Sequence, residues 1–276
     1  MNNTILETKN LTRRFGNFTA VDSISFSVTS GEIFGIVGPN GAGKTTTIKM
    51  LTTLLPPTSG NAVVGGFDIV HHASSVRRII GYVPQLLSAD GTLTGYENLL
   101  VFAKLYDLPS NEREKRISES LHFMGLADSA DKLVRSYSGG MIRRLEIAQA
   151  VLHKPHILYL DEPTVGLDPV AREAVWKYVG ALAKAGTTII MTTHYMEEAD
   201  SMCDVVAIMN HGKIAAVGSP HELKESVGRQ LDSSSGNGTT LDKVFEFYIG
   251  NTLENSETGE NLKDVRRTRR TARRLG

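Results

Sequence analysis

The stretch GIVGPNGAGKTTTIKML, from Gly35 to Leu51, places four glycines after an apolar run and follows them with Lys44 and three threonines. So few side chains surround the lysine that backbone N–H groups can face a ligand directly. An anion with several oxygens suits such a loop, because a helix that begins near Lys44 adds its positive dipole end. The stretch therefore predicts an anion-binding turn between a buried strand and a helix.

Residues Gly38 to Thr45 match the pattern G-x-x-x-x-G-K-[ST] at every position, between a predicted strand and a predicted helix. This pattern predicts a P-loop, in which Lys44 contacts the β- and γ-phosphates of a nucleotide and the Thr45 hydroxyl binds Mg²⁺. A glycine-rich turn with an unrelated lysine is the alternative, and the full match in this context disfavours it. The predicted phosphate-binding residues are Gly38, Pro39, Asn40, Gly41, Ala42, Gly43, Lys44, Thr45 and Thr46.

Two acids in the stretch ILYLDEP indicate what is done with the nucleotide. Asp161 stands at the end of an apolar strand, where its carboxylate can hold Mg²⁺ through water, and Glu162 follows it. One carboxylate on the metal and a second one polarising water suit hydrolysis. Without the P-loop, two helix-capping or exposed acids would be the simpler interpretation.

The rest of the chain predicts a mostly parallel α/β core with two additions. Alternating apolar and polar residues before Thr29 predict an antiparallel N-terminal β part, and NAVVGGFDI predicts a further strand. Helical spacing predicts an α-helical subdomain over about residues 90–153, in which Ser110 and Ser138 begin helices. Strands and helices alternate again after it, with a turn at His211–Gly212.

We therefore expect an ATP-binding domain over residues 1–228 and a linker with a terminal helix over residues 229–250. Residues 251–276 are predicted to be a disordered basic tail. The last thirteen residues carry six arginines and one aspartate, and this local charge of +5 suits either a solvated end or contact with anionic lipid.

Composition excludes some classes of protein. The formal net charge of the 276 residues is zero, so nucleic-acid binding is not expected. Cys203 is the single cysteine, and we expect a small buried side chain in a reducing compartment. Neither a signal peptide nor a membrane span is predicted, so any membrane crossing would fall to another chain. The pair His71–His72 favours a solvated turn over a metal site.

An ordered series of motifs resembles the nucleotide-binding subunit of an ABC transporter. GYVPQ supplies Gln85 as in the family's Q-loop, YSGGM is similar to its LSGGQ signature, and GLDP is similar to its D-loop. His194 stands where the family has its switch histidine, and Phe15 where it has an aromatic residue that stacks on adenine. Tyr137 and Met141 depart from the signature, whose Ser-Gly-Gly core is intact.

The resemblance implies a role for each matching residue. Phe15 stacks on adenine, Gln85 binds Mg²⁺ or the attacking water, and His194 contacts the γ-phosphate and orients water with Glu162. In a dimer, the signature of one subunit caps the ATP held by the other, and the D-loop aspartate lies across the interface. The residues involved there are Ser138, Gly139, Gly140 and Asp168. Singly, each position also has a structural interpretation: core for Phe15, a surface amide for Gln85, a structural histidine for His194, and helix caps for Ser138 and Asp168.

The implied function is ATP hydrolysis that drives transport by a separate integral-membrane permease, on the cytoplasmic face of the membrane. The segments TVGLDPVAREAVW and HYMEEAD are most similar to exporters of drugs, antibiotics or small lipophilic compounds, and a homodimer is expected. A soluble ABC-type ATPase acting on ribosomes or DNA is the alternative. A P-loop kinase or GTPase and a regulator that binds ATP without turnover are further rivals.

Overall fold

The computed structural model describes residues 4–230 and 238–250. The strands are β1 (Thr4–Phe15), β2 (Phe18–Thr29), β3 (Ile33–Val37), β4 (Ser59–Val64), β5 (Phe67–Asp68), β6 (Ile80–Val83), β7 (Ile157–Asp161), β8 (Thr188–Thr193), β9 (Val205–Asn210) and β10 (Lys213–Gly218). The helices are α1 (Lys44–Leu51), α2 (Ala73–Ile79), α3 (Gly95–Leu105), α4 (Ser110–Phe123), α5 (Gly139–Val151), α6 (Pro169–Lys184), α7 (Met196–Met202), α8 (Pro220–Gln230) and α9 (241–250).

The strands form two sheets. The first is antiparallel, in the order β2-β1-β4-β5, and the second has the order β10-β9-β3-β8-β7-β6. In the second sheet β9, β3, β8, β7 and β6 are parallel, and only β10 runs against its neighbour. The predicted α/β architecture, with its mostly parallel core and antiparallel N-terminal part, is confirmed.

The parallel register brings three strand ends to one edge. Val37 lies opposite Thr193, and Asp161 lies opposite Thr192. The P-loop, the two acids and the segment that begins with His194 therefore leave the sheet side by side, as the carboxyl ends of parallel strands do.

The central strands are buried on both faces because apolar residues predominate in them. Leu158 and Leu160 of β7 point into one apolar cluster with the helical subdomain, whereas Ile157 and Tyr159 point into the other, beneath the antiparallel sheet. Cys203 packs as a small buried residue, with its sulfur 2.6 Å from the position that a Cβ on Gly35 would take, and burial raises the pKa of its thiol.

The helical subdomain contains α3, α4 and α5, and its helix starts follow the sequence signals. Thr94 and Glu97 form a reciprocal capping box at the start of α3. Ser138 caps α5, and its Oγ accepts a hydrogen bond from the Met141 N–H. Helix α4 begins at Ser110 as predicted, although its N-cap residue is Pro109.

One strand prediction is wrong, and two regions lacked any prediction. NAVVGGFDI forms the hairpin β4–β5, since Gly65 and Gly66 take φ values of 56° and 84° and turn the chain. Helix α2 with strand β6, and helix α8, have no counterpart in the sequence analysis. Helix α8 also runs through the boundary expected at residue 228.

Some predictions concern residues without described structure. Most of the expected linker (231–237) and the basic tail (251–276) lie outside the described residues. Residues 4–230 and 238–250 contain no helix with the length and apolar character that spanning a bilayer requires. These residues also contain no group of three or more His, Cys, Asp or Glu side chains placed to hold a metal ion, at His71 or elsewhere.

Candidate active site

The P-loop joins β3 to α1 in a conformation that requires glycine. A Cβ on Gly38 would lie 2.2 Å from the Met209 carbonyl oxygen, and Gly43 has φ 106° with the Ala20 carbonyl oxygen 2.5 Å from its Cβ position. Gly212 in the β9–β10 turn donates its N–H to the Ala42 carbonyl at 2.9 Å. The loop is therefore held in place by two neighbouring strands.

Lys44 lies folded over its own loop. Its buried ammonium group donates to the carbonyl oxygens of Gly38 at 2.8 Å and Pro39 at 3.2 Å. It also lies 3.2 Å from Glu162 Oε1. Because the Lys44 ammonium group contacts only loop carbonyls and one carboxylate, it can exchange these contacts for hydrogen bonds to phosphate oxygens when a nucleotide binds.

A pocket of about 430 Å³ opens in front of the loop. Phe15 stands at its rim with 47% of its surface exposed, so the interpretation of Phe15 as core is wrong. Phe18, which pairs with Phe15 across the β1–β2 turn, lines the same pocket and was missed, although the spacing FGNF signals this turn. The lining is Phe15, Phe18, Ala20, Asn40, Gly41, Ala42, Gly43, Lys44, Thr45, Thr46, Gln85 and Glu162.

Asp161 is fully buried behind the P-loop. Its Oδ1 accepts hydrogen bonds from Thr192 Oγ1 at 2.6 Å and Thr45 Oγ1 at 3.1 Å. Burial raises the pKa of Asp161, and its Oδ2 has no hydrogen-bond partner among the described residues. A buried carboxylate oxygen without a donor, beside a threonine hydroxyl, fits a hard cation such as Mg²⁺.

Glu162 turns out of the strand and meets three other predicted site residues. Its φ of 47° is a left-handed backbone conformation, which redirects the side chain after β7. The carboxylate lies 3.2 Å from Lys44 Nζ, accepts from Gln85 Nε2 at 3.3 Å, and lies 3.1 Å from His194 Nδ1. Because Asp161 and Glu162 are both buried, the interpretation as exposed strand-end acids is wrong.

The signature and D-loop residues do not line the pocket around Lys44. Ser138 caps α5, and Asp168 caps α6 by accepting from the Ala171 N–H at 2.9 Å. A Cβ on Gly140 would meet Ala171 Cβ at 2.7 Å, so α5 and α6 pack closely there. Within the described chain, these groups and the P-loop do not form one site.

The two departures from the signature have structural explanations. The buried Tyr137 donates its hydroxyl to the Ser129 carbonyl at 2.6 Å, and Met141 packs against the apolar cluster of the helical subdomain. Both side chains therefore stabilise the subdomain and leave the capping serine in place.

Sequence reasoning missed a buried ion pair that ties α5 to the Q-loop. Arg143 pairs with Glu146 at 2.9 Å and donates to the carbonyls of Pro84 and Gln85, each at 2.7 Å. Glu146 accepts from the Ser88 N–H. The sequence signal for this ion pair was an arginine and a glutamate three residues apart within a mostly apolar helix.

Comparison with known proteins decides the family. The family model described as "ABC transporter" matches residues 21–165. The chain belongs to the ABC transporter family.

Its relatives include two resistance proteins. The daunorubicin/doxorubicin resistance ATP-binding protein DrrA of Streptomyces peucetius is 45% identical over 82% of this chain and 68% of its own length. The linearmycin resistance ATP-binding protein LnrL of Bacillus subtilis is 42% identical over 81% of this chain and 72% of its own length. A solved structure titled as the ATP binding subunit of an ABC transporter superposes with a TM-score of 0.78 at 28% identity, over 89% of this chain and 100% of that one.

The predicted ABC-type P-loop fold and the predicted ATPase activity are confirmed by this membership. As an ABC transporter ATP-binding subunit, the chain hydrolyses ATP and works with membrane components. The rival interpretations as a kinase, a GTPase or a regulator without turnover are wrong.

Proposed function

We propose that this ATPase powers the export of a drug or small lipophilic compound through a separate membrane-spanning partner, and that two copies clamp two ATP molecules between them. The observation that carries the proposal is the carboxylate of Glu162, which Lys44, Gln85 and His194 contact together. Glu162, Lys44, Gln85 and His194 belong to four separate segments of the chain. A glutamate that only capped a helix or faced solvent would not need the other three residues around it.

ATP enters the pocket with its adenine on Phe15 and its phosphates on the P-loop. The backbone N–H groups of residues 40–46 face the phosphate oxygens, and the start of α1 adds its dipole. Lys44 exchanges the carbonyls of Gly38 and Pro39 for the β- and γ-phosphates. The positive charge is then held where negative charge develops during phosphoryl transfer.

Thr45, Asp161 and Gln85 are the residues that would hold Mg²⁺. The free Oδ2 of Asp161 and the hydroxyl of Thr45 supply the oxygens that this ion prefers. When bound, Mg²⁺ neutralises charge on the β- and γ-phosphates.

Glu162 acts as the general base toward the attacking water. The His194 imidazole lies 3.1 Å from the Glu162 carboxylate and can contact the γ-phosphate at the same time. Gln85 Nε2 donates to Glu162 Oε2, the same oxygen that His194 contacts, and helps to orient the water there. A positioned base of this kind contributes about 10²- to 10⁴-fold to the rate.

A second copy completes the pocket. Ser138 and Gly139 lie exposed at the start of α5, with the buried Gly140 after them, and this helix start can donate backbone N–H groups to the γ-phosphate of the ATP held by the other subunit. Asp168 lies across the same interface. ATP, which contacts both subunits, favours the closed dimer, and hydrolysis removes this preference.

The membrane partner docks beside the Q-loop at the cytoplasmic face. Leu86 is 81% exposed and Leu87 is 52% exposed, immediately after Gln85. Exposed leucines near a residue that senses the nucleotide suit binding to a partner whose conformation must respond to the nucleotide. The names of DrrA and LnrL support a drug or antibiotic as cargo. No observation favours the ribosome- or DNA-directed alternative.

Replacing the base tests the proposal. Glu162→Gln keeps the shape of the side chain and removes its basicity, so ATP hydrolysis should fall by about 10²-fold or more while ATP still binds. Size-exclusion chromatography should then show a dimer that depends on ATP. Glu173→Gln, at an exposed position of α6, is the control. Parental hydrolysis by Glu162→Gln would show that the assigned base is wrong.

The arginine-rich end (264–276) is proposed as a weak contact for anionic lipid, at about 1 kcal/mol for each well-placed charge. Removal of these residues should weaken binding to vesicles that contain phosphatidylserine and leave binding to phosphatidylcholine vesicles unchanged. Equal binding of both chains to the anionic vesicles would favour a purely solvated end.

A further inference from the structure

Glu198 is a buried carboxylate of α7 that the sequence analysis did not single out. It is 5% exposed and is surrounded by donors. Oε1 accepts from Thr164 Oγ1 at 2.5 Å and from Trp176 Nε1 at 3.3 Å, and Oε2 accepts from Thr193 Oγ1 at 2.8 Å. Arg172 Nε lies 3.6 Å from Oε1.

These partners belong to the segments that carry the catalytic groups. Thr164 follows Glu162 by two residues, and Thr193 immediately precedes His194. Thr193 Oγ1 also accepts from the Tyr195 N–H at 3.0 Å, so the same hydroxyl fixes the backbone on both sides of His194.

A second path leads from Glu198 to His194 through aromatic contacts. The Arg172 guanidinium lies 4.7 Å from the centre of the Tyr195 ring, and this ring lies 4.2 Å from the His194 ring. Arg172 sits one turn after Asp168, the cap of the same helix. One carboxylate therefore connects the His194 segment, the Glu162 segment and the helix start that bears Asp168.

An ionised carboxylate suits this place better than an amide. Its two oxygens accept from several donors at once, whereas a glutamine would present an NH₂ group to a hydroxyl or indole donor. Hydrogen bonds to a buried charge are stronger than neutral ones, and Arg172 balances part of the charge. The arrangement fixes geometry because each donor has a single strong acceptor.

We propose that Glu198 is a positioning residue for ATP hydrolysis, which holds His194 and the 164–168 segment in one arrangement through Thr193 and Thr164. The inference rests on the proposed role of His194 beside Glu162. The inference adds that the rate of hydrolysis in one site and the position of Asp168 at the dimer interface change together, because the Glu198 side chain connects the two segments.

The test uses the full chain with three substitutions and one control. Glu198→Gln replaces one of the two acceptor oxygens with an NH₂ group, Thr193→Val removes the link to His194, and Thr164→Val removes the link to the segment after Glu162. Glu197→Gln, an exposed neighbour on the same helix, is the matched control. Measurements are kcat and KM for ATP, the melting temperature, and the ¹⁵N-histidine spectrum, in which the His194 signal is assigned with His194→Ala.

Glu198→Gln and Thr193→Val should lower kcat by about 10- to 100-fold, as misplacement of a reacting group does, with KM within about threefold of the parent. The His194 ring signal should move in both variants and stay in place in Glu197→Gln. If Glu198→Gln does not fold, Thr193→Val carries the same test.

Two results would overturn the inference. One is parental kcat in folded Glu198→Gln and Thr193→Val. The other is a lower melting temperature with an unmoved His194 signal, which would leave Glu198 as a stabilising residue only. A failure of the proposed function can be distinguished from these two results, because it would appear as parental ATP hydrolysis by Glu162→Gln, independent of the Glu198 variants.

Discussion

At the scale of single residues, Phe15 makes a specific prediction about nucleotide affinity. Its ring is exposed at the pocket rim, and the Arg13 guanidinium lies 4.7 Å from the ring centre. An exposed aromatic ring costs free energy in water unless a ligand covers it. Stacking on a base contributes about 1–3 kcal/mol, so Phe15→Ala should weaken ATP binding by this amount.

Titration calorimetry with ATP measures the loss, and Phe15→Tyr should retain the parental affinity because its ring is intact. Inorganic triphosphate, which has no base to stack, should bind the parent and Phe15→Ala equally. ATP binding of Phe15→Ala at parental affinity would show that adenine does not use this ring.

The same scale shows which site residues a sequence can reveal. Lys44, Asp161 and Glu162 were predictable because each belongs to a short contiguous pattern whose chemistry is known. Glu198 and Thr193 were not, since their importance comes from contacts that the fold creates, including one from Glu198 to Thr164 across 34 residues of sequence, which periodicity does not encode. The left-handed backbone of Glu162 was also hidden, because a glutamate rarely adopts it.

At the scale of elements, His153 couples the end of α5 to strand β6 and to the end of α3. Its ring stacks on Tyr106 with centres 3.7 Å apart, and its Nε2 donates to the Ile80 carbonyl at 3.0 Å. Its Nδ1 is buried without a partner among the described residues. Burial lowers the pKa of His153, although the hydrogen bond to Ile80 opposes this shift.

Because its pKa is lower in the folded state, His153 binds a proton more readily in the unfolded chain. Its contribution to stability is therefore complete above the unfolded pKa of about 6.5 and is lost as the pH falls through and below this value. His153→Phe removes this titration but also leaves the Ile80 carbonyl without its donor, at a cost of about 1 kcal/mol near pH 7.5.

Urea unfolding at pH 7.5 and pH 5.5 measures the effect, and the stability gap between parent and His153→Phe should narrow at the lower pH. His156→Gln, which removes an exposed imidazole immediately before β7, is the matched control. A gap that stays constant or widens at pH 5.5 would contradict a neutral, buried His153.

Helices and strands were predictable where a single periodicity of apolar residues dominated the local sequence. Strand β3 is a continuous apolar run, β7 is apolar up to Asp161, and β8 has the apolar stretch IIM between threonines. Helix α6 has Pro169 at its first position and Gly186 beyond its end at φ 97°. Helix α2 and strand β6 follow each other without a turn residue, so their patterns merge and neither was recognised. The β4–β5 hairpin was not predictable from periodicity, because Gly65 and Gly66 stand within an otherwise apolar stretch that has the pattern of a single strand.

At the scale of the whole molecule, one chain contains the parts of a site but does not bring them together. Lys44 and Glu162 line the pocket, whereas Ser138 and Gly139 lie at the start of α5, outside its lining. A symmetric pair of chains can unite them, since a twofold interface places the same patch of each subunit against the other. The incomplete pocket is the physical reason for expecting a dimer.

Mixing two inactive variants tests this arrangement. Lys44→Ala disables the P-loop. Gly139→Asp disables the helix start, because its carboxylate would repel the γ-phosphate, while its Cβ would meet only Leu167 at an ordinary 3.5 Å. Each variant alone should be inactive. In a mixed dimer, the intact P-loop of one chain faces the intact helix start of the other, so one of two sites is restored, and random pairing should return about a quarter of the parental activity.

The control places both substitutions in one chain and mixes it with the parent. In that mixed dimer each site has one disabled half, so activity should come only from the remaining parental dimers. Affinity tags of two kinds isolate the mixed species for a direct ATPase measurement. If the purified mixed dimer of the two single variants is inactive while the doubly substituted chain paired with the parent is active, each site is built within one chain, and ATP does not join two copies of this protein.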